Sequence, residues 1–263
     1  MNVSLRFVEK IGDRILNSCA SIGRFTVFSM RALRAIFTRI HYTLILEQMH
    51  AVGVESSAVI ILTGFFTGLG LAFQAHVGFG KFGVEDLIGA IVALGMTREL
   101  GPVLTGLMVT ARAGSAMTAE LGTMRISEQI DALRTLGIDP YRYLIAPRVL
   151  ASIIVMPCLT LFSGACGIAG GYIFCTYVLN LNPENFFAHI RNTLELSDIL
   201  VGLIKSSFFG LILSLIGSYC GYQTRDGTRG VGRSTTRSVV LGSIFILIAN
   251  YFLSSFLFQT GLG

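Results

Sequence analysis

Five long stretches with few or no charged residues constrain the fold of this chain more than any other feature of its sequence. A helix rises about 1.5 Å per residue, so roughly 20 apolar residues cross the ~30 Å hydrocarbon core of a bilayer. The five stretches reach that length and cover residues 56–77, 87–111, 149–181, 199–222 and 239–258. Only 13% of the 263 residues are charged, too few to cover a soluble globule. We therefore predict an all-α integral membrane protein with about five transmembrane helices.

The positions of the positive charges predict how these spans are oriented. Most of the 20 Lys and Arg residues fall in three segments, residues 6–39, 112–148 and 225–237. These segments alternate along the chain with the short connections around Lys81 and Arg191. The positive-inside rule assigns the three basic segments to the cytoplasm. The N-terminus is then cytoplasmic and the C-terminus lies on the opposite side.

The segment before the first span has the pattern of an amphipathic helix. Apolar residues recur there at spacings of three or four, with basic residues between them, as is typical of a helix with one apolar face. They are Leu5, Val8, Ile11, Ile15, Cys19 and Ile22. Such a helix fits the plane of the cytoplasmic leaflet, or alternatively the surface of a soluble partner. We predict an interfacial segment at residues 1–52 and a transmembrane domain at residues 53–263.

Arg98 and Glu99 interrupt the second apolar stretch near its middle. A charged side chain at the bilayer centre costs about 2.5–3.5 kcal/mol on insertion scales. The pair should therefore face a protein interior or a water-filled cavity, as part of a substrate pathway or as a structural ion pair. Neighbouring residues point about 100° apart on a helix, so each charge is expected to have its own partner. Gly101 and Pro102 follow, which predicts a kinked or broken helix at this depth.

Three further polar residues are candidates for the same pathway. Lys205 lies inside the fourth apolar stretch, where it either lines the pathway or extends its ammonium to the interface. Gln74 and His76 lie near the outer end of the first stretch, where polar residues are also common for interfacial reasons.

The connection at residues 112–148 contains a short amphipathic helix. Its apolar positions recur at spacings of three or four, and Gly137 and Pro140 end it. These positions are Ile126, Ile130, Leu133 and Leu136. The helix is suited to dock a cytoplasmic protein, or else to rest on the membrane surface.

Paired glycines predict close helix packing in two spans. Gly64 and Gly68 form one G-x-x-x-G pattern, and Gly167 and Gly171 form another. Small residues at this spacing let helix backbones approach closely, either within one chain or between two.

No motif in the sequence supports an enzyme. Residues 227–234 differ from a P-loop in having Arg233 for the lysine, and they are flanked by membrane spans instead of a strand and a helix. The four histidines are scattered, and the five cysteines lack metal-ligand spacing. We predict no catalytic centre, no metal and no cofactor, and we interpret residues 227–234 as a basic cytoplasmic loop.

Long motifs in this chain resemble the MlaE family of ABC-transporter permeases. They are RELGPVLTG from Arg98, ARAGSAMTAELGTMRISEQIDAL from Ala111, GIDP from Gly137, APR from Ala146, LIKS from Leu203 and GRSTTR from Gly232. The similarity extends over nearly the whole chain, which makes it far more specific than any single motif.

The resemblance implies a homodimeric permease of the bacterial inner membrane that moves phospholipid between the inner and outer membranes and maintains outer-membrane lipid asymmetry. It also implies three partners: a separate cytoplasmic ABC ATPase, a STAS-domain subunit and a periplasmic MCE-domain hexamer. Arg98 and Glu99, with Gln74 and Lys205 as weaker candidates, would line a lipid cavity at the dimer interface.

By the same resemblance, a coupling helix near residues 118–137 would contact the ATPase. Its candidate residues are Glu120, Arg125, Glu128, Ile130, Asp131 and Leu133.

Two other classes of protein remain open on the residues alone. An ion- or proton-coupled secondary transporter could also use intramembrane charges, although such proteins usually contain inverted repeats, which are not visible here. A non-transporting membrane scaffold would have no use for a costly charge pair in the membrane.

Overall fold

The computed structural model describes residues 3–37, 42–80 and 87–260, and within these ranges the chain forms helices and short connections with no strand. Five helices are long and apolar enough to cross a membrane, and we call them spans one to five. They are Tyr42–Phe79, Ile88–Ile126, Tyr141–Val178, Leu196–Tyr222 and Gly227–Gln259. The remaining helices are an N-terminal helix at Val3–Ile36, a connecting helix at Gln129–Thr135 and a helix at Pro183–Thr193. The predicted all-α membrane protein with five spans is confirmed.

Span one begins earlier than its apolar composition predicts. The helix runs without a break from Tyr42, passing through a π-helical turn at His50–Val54. The predicted boundary between residues 52 and 53 therefore falls inside a continuous helix. Residues 42–52 extend span one, and the division into an interfacial segment and a transmembrane domain remains a prediction.

The N-terminal helix belongs partly to the same core as the spans. Phe28 and Ala32 are buried against Leu121 and Leu144, and the Phe28 ring contacts Tyr141, Tyr219 and Tyr222 at centroid distances of 5.5, 5.3 and 5.6 Å. Burying a Phe side chain contributes about 1.5–3 kcal/mol. The end of this helix is thus anchored to the bundle.

The structure describes only part of the predicted apolar face of the N-terminal helix. The side chains of Leu5, Val8, Ile11 and Ile15 lie outside the described residues. Cys19 and Ile22 are exposed. A position in the membrane surface therefore remains a prediction for this helix.

The glycine motifs of spans one and three pack against each other. A Cβ atom at Gly68 would lie 1.8 Å from the Gly167 carbonyl oxygen, and one at Gly64 would lie 2.6 Å from the Ser163 carbonyl oxygen. Such distances leave no space for any side chain larger than hydrogen. The predicted close packing is confirmed, and these glycines serve a contact within one chain.

Candidate functional site

A π-helical segment in the middle of span two carries both predicted charges. Residues Gly95–Leu100 adopt this wider turn, and the α-helix resumes at Gly101. Gly101 permits it, since a Cβ atom there would lie 2.1 Å from the Met96 carbonyl oxygen. The helix is not broken at Gly101 and Pro102; the irregularity at this depth is a π-helical segment within a continuous helix, a feature frequent at functional sites.

Lys205 compensates a backbone group that this irregularity leaves without its usual donor. Pro102 has no N–H, so it cannot donate to the Arg98 carbonyl four residues earlier. The Lys205 ammonium donates to that carbonyl oxygen at 3.0 Å. The same ammonium lies 2.7 Å from Oε1 of Glu99. Span four is thereby tied to the bulge in span two.

The Glu99 carboxylate accepts hydrogen bonds from two further side chains on span five. Asn250 Nδ2 donates to Oε2 at 3.0 Å, and the Ser254 hydroxyl donates to Oε1 at 3.0 Å. Together with Lys205 these donors stabilise the ionised carboxylate, since charge-assisted hydrogen bonds are stronger than neutral ones. Glu99 therefore joins spans two, four and five.

Arg98 points to a different partner, Asp198. Its Nη1 lies 3.1 Å from Oδ1 of Asp198, whose side chain is only 7% exposed. The other oxygen, Oδ2, accepts the Glu195 backbone N–H at 2.9 Å and so helps begin span four. The expectation that Arg98 and Glu99 each have a separate partner is confirmed.

The four charges differ in their access to the outside. Lys205 and Asp198 are buried, with side chains 1% and 7% exposed, whereas Arg98 and Glu99 are 31% and 47% exposed. Buried ions are tolerable only when paired and hydrogen-bonded. A ligand would thus meet one guanidinium and one carboxylate, each held in place by a buried partner.

Arg98, Glu99 and Lys205 line an open cavity of about 380 Å³ between spans two, four and five. Span five contributes Ser254 and the apolar or aromatic side chains Tyr251, Leu257 and Phe258. Tyr251 and Phe258 are 71% and 70% exposed, so they form the rim on the outer face of the bundle. The cavity joins a charged floor to an apolar rim, an arrangement suited to an amphiphilic ligand.

The structure brings together three of the four predicted substrate-pathway residues. Arg98, Glu99 and Lys205 line one cavity, whereas Gln74 is exposed on span one and is not among the residues described around that cavity. Sequence reasoning missed Asp198, Asn250 and Ser254. Asn250 could have been predicted from the sequence, because an amide inside an apolar span needs a hydrogen-bond partner. Asp198 lies just before the predicted fourth span, so no sequence feature pointed to its role.

The predicted docking segment forms a compact charged turn. Glu128 adopts a left-handed backbone conformation with φ of 59° and separates the end of span two from the connecting helix. Across this turn, Nη1 of Arg125 lies 2.8 Å from both carboxylate oxygens of Asp131. Arg134 lies 3.3 Å from the same carboxylate. Arg125 and Asp131 therefore hold the connecting helix against span two.

The apolar side of the connecting helix faces the chain's own core. Ile130 is completely buried with Leu121 and Leu144, and Leu133 packs against the same cluster. Neither residue offers its side chain to a docking protein as freely as Leu136, which is 74% exposed. Any part that Ile130 has in coupling would be through the position of this helix.

Glu120 connects span two to span three. Its Oε2 lies 2.8 Å from Nη2 of Arg148, whose side chain is 4% exposed. Arg148 Nη1 also donates to the Leu144 carbonyl oxygen at 2.6 Å. The buried guanidinium of Arg148 thus ties the end of span two to the start of span three, next to the connecting helix.

Residues 227–234 are helical, which corrects our interpretation of them as a loop. Span five begins at Gly227 and continues through this segment. Asp226, with φ of 67°, makes the sharp turn from span four, so the helix begins earlier than composition indicates. A P-loop would need a strand before it, and the described residues contain none.

Comparison with known proteins identifies a family for this architecture. The family described as Permease MlaE matches residues 45–256. A Rickettsia bellii protein named Probable ABC transporter permease protein is 43% identical over 97% of this chain and 99% of its own length. The Haemophilus influenzae Intermembrane phospholipid transport system permease protein MlaE is 35% identical over 98% of this chain and 99% of its own length. The Arabidopsis thaliana protein TRIGALACTOSYLDIACYLGLYCEROL 1, chloroplastic, is 41% identical over 86% of this chain and 65% of the plant protein.

Proposed function

Because the chain belongs to the MlaE family of permeases, we propose that it is the membrane subunit of an ATP-driven ABC transporter that moves phospholipids between the inner and outer membranes. This activity would maintain the lipid asymmetry of the outer membrane. The proposal places the chain in the bacterial inner membrane, with its N-terminus cytoplasmic and its C-terminus periplasmic. The positive-inside distribution of Lys and Arg supports that orientation.

The charged cavity is the observation that best supports a lipid substrate. Arg98 lies about ten residues into span two and Lys205 about nine residues into span four, or ~14 Å along helices that start on the same side. That depth is close to the middle of a ~30 Å hydrocarbon core. Charges there are costly, so a function that needs them at this depth is expected.

The chemistry of the cavity fits a phospholipid headgroup beside acyl chains. The two accessible charges, Arg98 and Glu99, can pair with a phosphate and with a cationic headgroup amine respectively. The aromatic rim at Tyr251 and Phe258 offers apolar contacts to the chains. Gln74 would belong to the pathway only if lipid also passes along span one.

The proposed transporter is a homodimer. Span five is the least buried of the five spans and exposes Phe252 and Phe256 beside the cavity rim. A second copy against this face would close the cavity and place two charged floors on one lipid pathway. Van der Waals packing between helix faces drives such contacts in lipid.

Energy for transport would come from a separate ABC ATPase docked on the connecting helix. The sequence contains no nucleotide-binding motif, and the two exposed residues that flank this helix, Glu128 before it and Leu136 after it, are available to a partner. Glu120, Arg125 and Asp131 would hold the helix so that movement of the ATPase reaches spans two and three. A STAS-domain subunit on the ATPase and a periplasmic MCE-domain hexamer would complete the system.

The decisive experiment compares Glu99→Gln with Glu184→Gln in the reconstituted complex. Glu184 is an exposed acid on the Pro183–Thr193 helix, so its variant controls for loss of one carboxylate. We expect Glu99→Gln to assemble with its ATPase and to reduce ATP-dependent transfer of fluorescent phospholipid at least about tenfold, because an amide does not retain the Glu99–Lys205 charge pair. The control should transfer lipid at the wild-type rate.

Two results would contradict the proposal. Wild-type lipid transfer by a well-assembled Glu99→Gln complex would remove the cavity from the pathway. Lipid or ion movement driven by an ion gradient without ATP would favour a secondary transporter, and no movement under either condition would favour a scaffold.

A further inference from the structure

A second charged cleft lies far from the Glu99 cavity, at the other end of the spans. It has a volume of about 570 Å³ and is formed by the last turns of the N-terminal helix, the end of the connecting helix and the segment leading into span three. Its polar lining is dominated by arginine. The charged residues are Arg31, Arg34, Arg134, Arg142 and Asp139.

The positive charge of this cleft exceeds the negative charge available to neutralise it. Asp139 lies 3.8 Å from Arg142, and Arg134 is engaged by Asp131 at 3.3 Å. Arg134 also hydrogen-bonds the Tyr222 hydroxyl. Arg34 has no ion-pair or hydrogen-bond partner for its guanidinium in the part of the chain that the structure describes. Guanidinium groups that outnumber the acids beside them repel one another, and a bound anion would relieve that repulsion.

The surroundings of the cleft indicate that the anion belongs to a lipid. Three apolar side chains near the end of the N-terminal helix are exposed: Met30 by 51%, Leu33 by 37% and Phe37 by 91%. Exposed apolar residues beside basic ones are typical of a helix that lies at the boundary between headgroups and acyl chains. The cleft itself includes the apolar residues Ala35 and Ile138.

We propose that this cleft binds the headgroup phosphate of an anionic phospholipid in the leaflet that the N-terminal helix contacts. Arg34 and Arg142 would bind the phosphate, since the planar guanidinium matches its oxygens, while the acyl chains pass beside Met30 and Phe37. This lipid is a resident ligand and not the transported one. The inference rests on the interfacial position of the N-terminal helix and not on the transport activity.

Such a lipid would link two separate helices of the molecule. Arg134 lies on the connecting helix, and Arg31 and Arg34 lie on the N-terminal helix. A phosphate between them would hold the proposed docking helix against the membrane surface. The site therefore has a function distinct from the lipid pathway at Glu99.

The test measures lipid binding to the purified full-length protein in mild detergent. Short-chain phosphatidylglycerol and phosphatidylcholine are titrated separately at low ionic strength and counted by native mass spectrometry. The variant is Arg34→Gln with Arg142→Gln, and the matched control is Arg229→Gln with Arg233→Gln, which removes two exposed arginines from the start of span five. We expect the wild type and the control to prefer phosphatidylglycerol, and the cleft variant to bind it roughly 25-fold more weakly, about fivefold for each arginine.

Separate arms identify the source of the anion and the kind of partner. Inorganic phosphate should not compete at concentrations that saturate a phospholipid site; full competition would show a site for free phosphate and overturn the proposal. Equal loss of phosphatidylglycerol in the control would reduce the effect to general surface charge, which also overturns it. The proposal would also be overturned if the cleft variant bound lipid as the wild type does but lost the co-purified ATPase, because the cleft would then be a protein contact.

The cleft variant must be folded for the result to count, which thermal unfolding in detergent establishes. Should the double variant unfold, Arg34→Gln alone gives the same test, because Arg34 is exposed and has no internal partner among the described residues. The Glu99→Gln variant should keep its phosphatidylglycerol preference. Failure of lipid transport and failure of this site are therefore distinguishable.

Discussion

Replacing Gly68 by alanine should separate spans one and three. A Cβ atom at this position would lie 1.8 Å from the Gly167 carbonyl oxygen and 2.5 Å from its Cα, so the obstacle is backbone and not a flexible side chain. An ordinary contact is about 3.4 Å or more, which requires the two helices to move apart by roughly 1.5 Å. Overpacking of this kind costs typically about 1–3 kcal/mol, and we expect the upper end here.

The displacement would reach the charged cavity through Met96. The Met96 side chain packs against Gly167, and a Cβ atom there would lie 2.4 Å from the Met96 Cε. Met96 belongs to the same π-helical segment as Arg98 and Glu99. A shift of span three is therefore expected to weaken the Glu99–Lys205 contact as well as the packing of the spans.

Gly70→Ala is the matched control, because a Cβ atom at Gly70 has no other group within 4 Å. Thermal unfolding of the detergent-solubilised variants would be followed by loss of monodisperse protein. At about 2–4 °C per kcal/mol, Gly68→Ala should lower the midpoint by several degrees, with Gly70→Ala within a degree or two of wild type. Equal midpoints for both variants would refute the idea that this backbone contact limits the packing of spans one and three.

Two other expectations concern the charge network and the docking helix. Glu99→Gln alone should destabilise the protein by about 1–3 kcal/mol. This is less than the loss expected on breaking a fully buried ion pair, because Glu99 is half exposed. Adding Lys205→Met should recover part of the lost stability, because it removes the unpaired ammonium. A double variant that is less stable than Glu99→Gln would contradict this interpretation. Leu136→Asp should abolish co-purification of the ATPase while leaving the fold intact, whereas Ile130→Asp should lower the yield of folded protein because it buries a carboxylate. Retention of the ATPase by folded Leu136→Asp would refute the docking surface.

Hydropathy and charge were sufficient to predict the spans. Lipid cannot hydrogen-bond a peptide group, so a long apolar stretch must be helical, and its length alone identifies it as a span. The same reasoning cannot locate a helix end that extends beyond the apolar run. Span one therefore begins at Tyr42 and span five at Gly227, both earlier than predicted.

The cost of charge in lipid also predicted, from the sequence, that Arg98 and Glu99 face a protein interior or a cavity, and it made Lys205 a candidate for the same pathway. The partners of Arg98 and Glu99 could not be predicted in this way, because they depend on which faces of separate helices meet. Asp198, Asn250 and Ser254 are distant from span two in sequence, and only the packing of spans two, four and five brings them to Arg98 and Glu99.

The amino-acid sequence by itself determined that this chain is a five-span helical membrane protein with charges in the middle of its membrane segment, because those properties follow from local composition and the solvent. Tertiary structure decided the direction in which each surface faces. The apolar stripe of the connecting helix indicates that one side is buried, but only packing shows that Ile130 faces the chain's own core and Leu136 faces outward. The glycine pattern likewise predicts a close helix contact, while the partner, span three of the same chain, depends on the arrangement of all five helices.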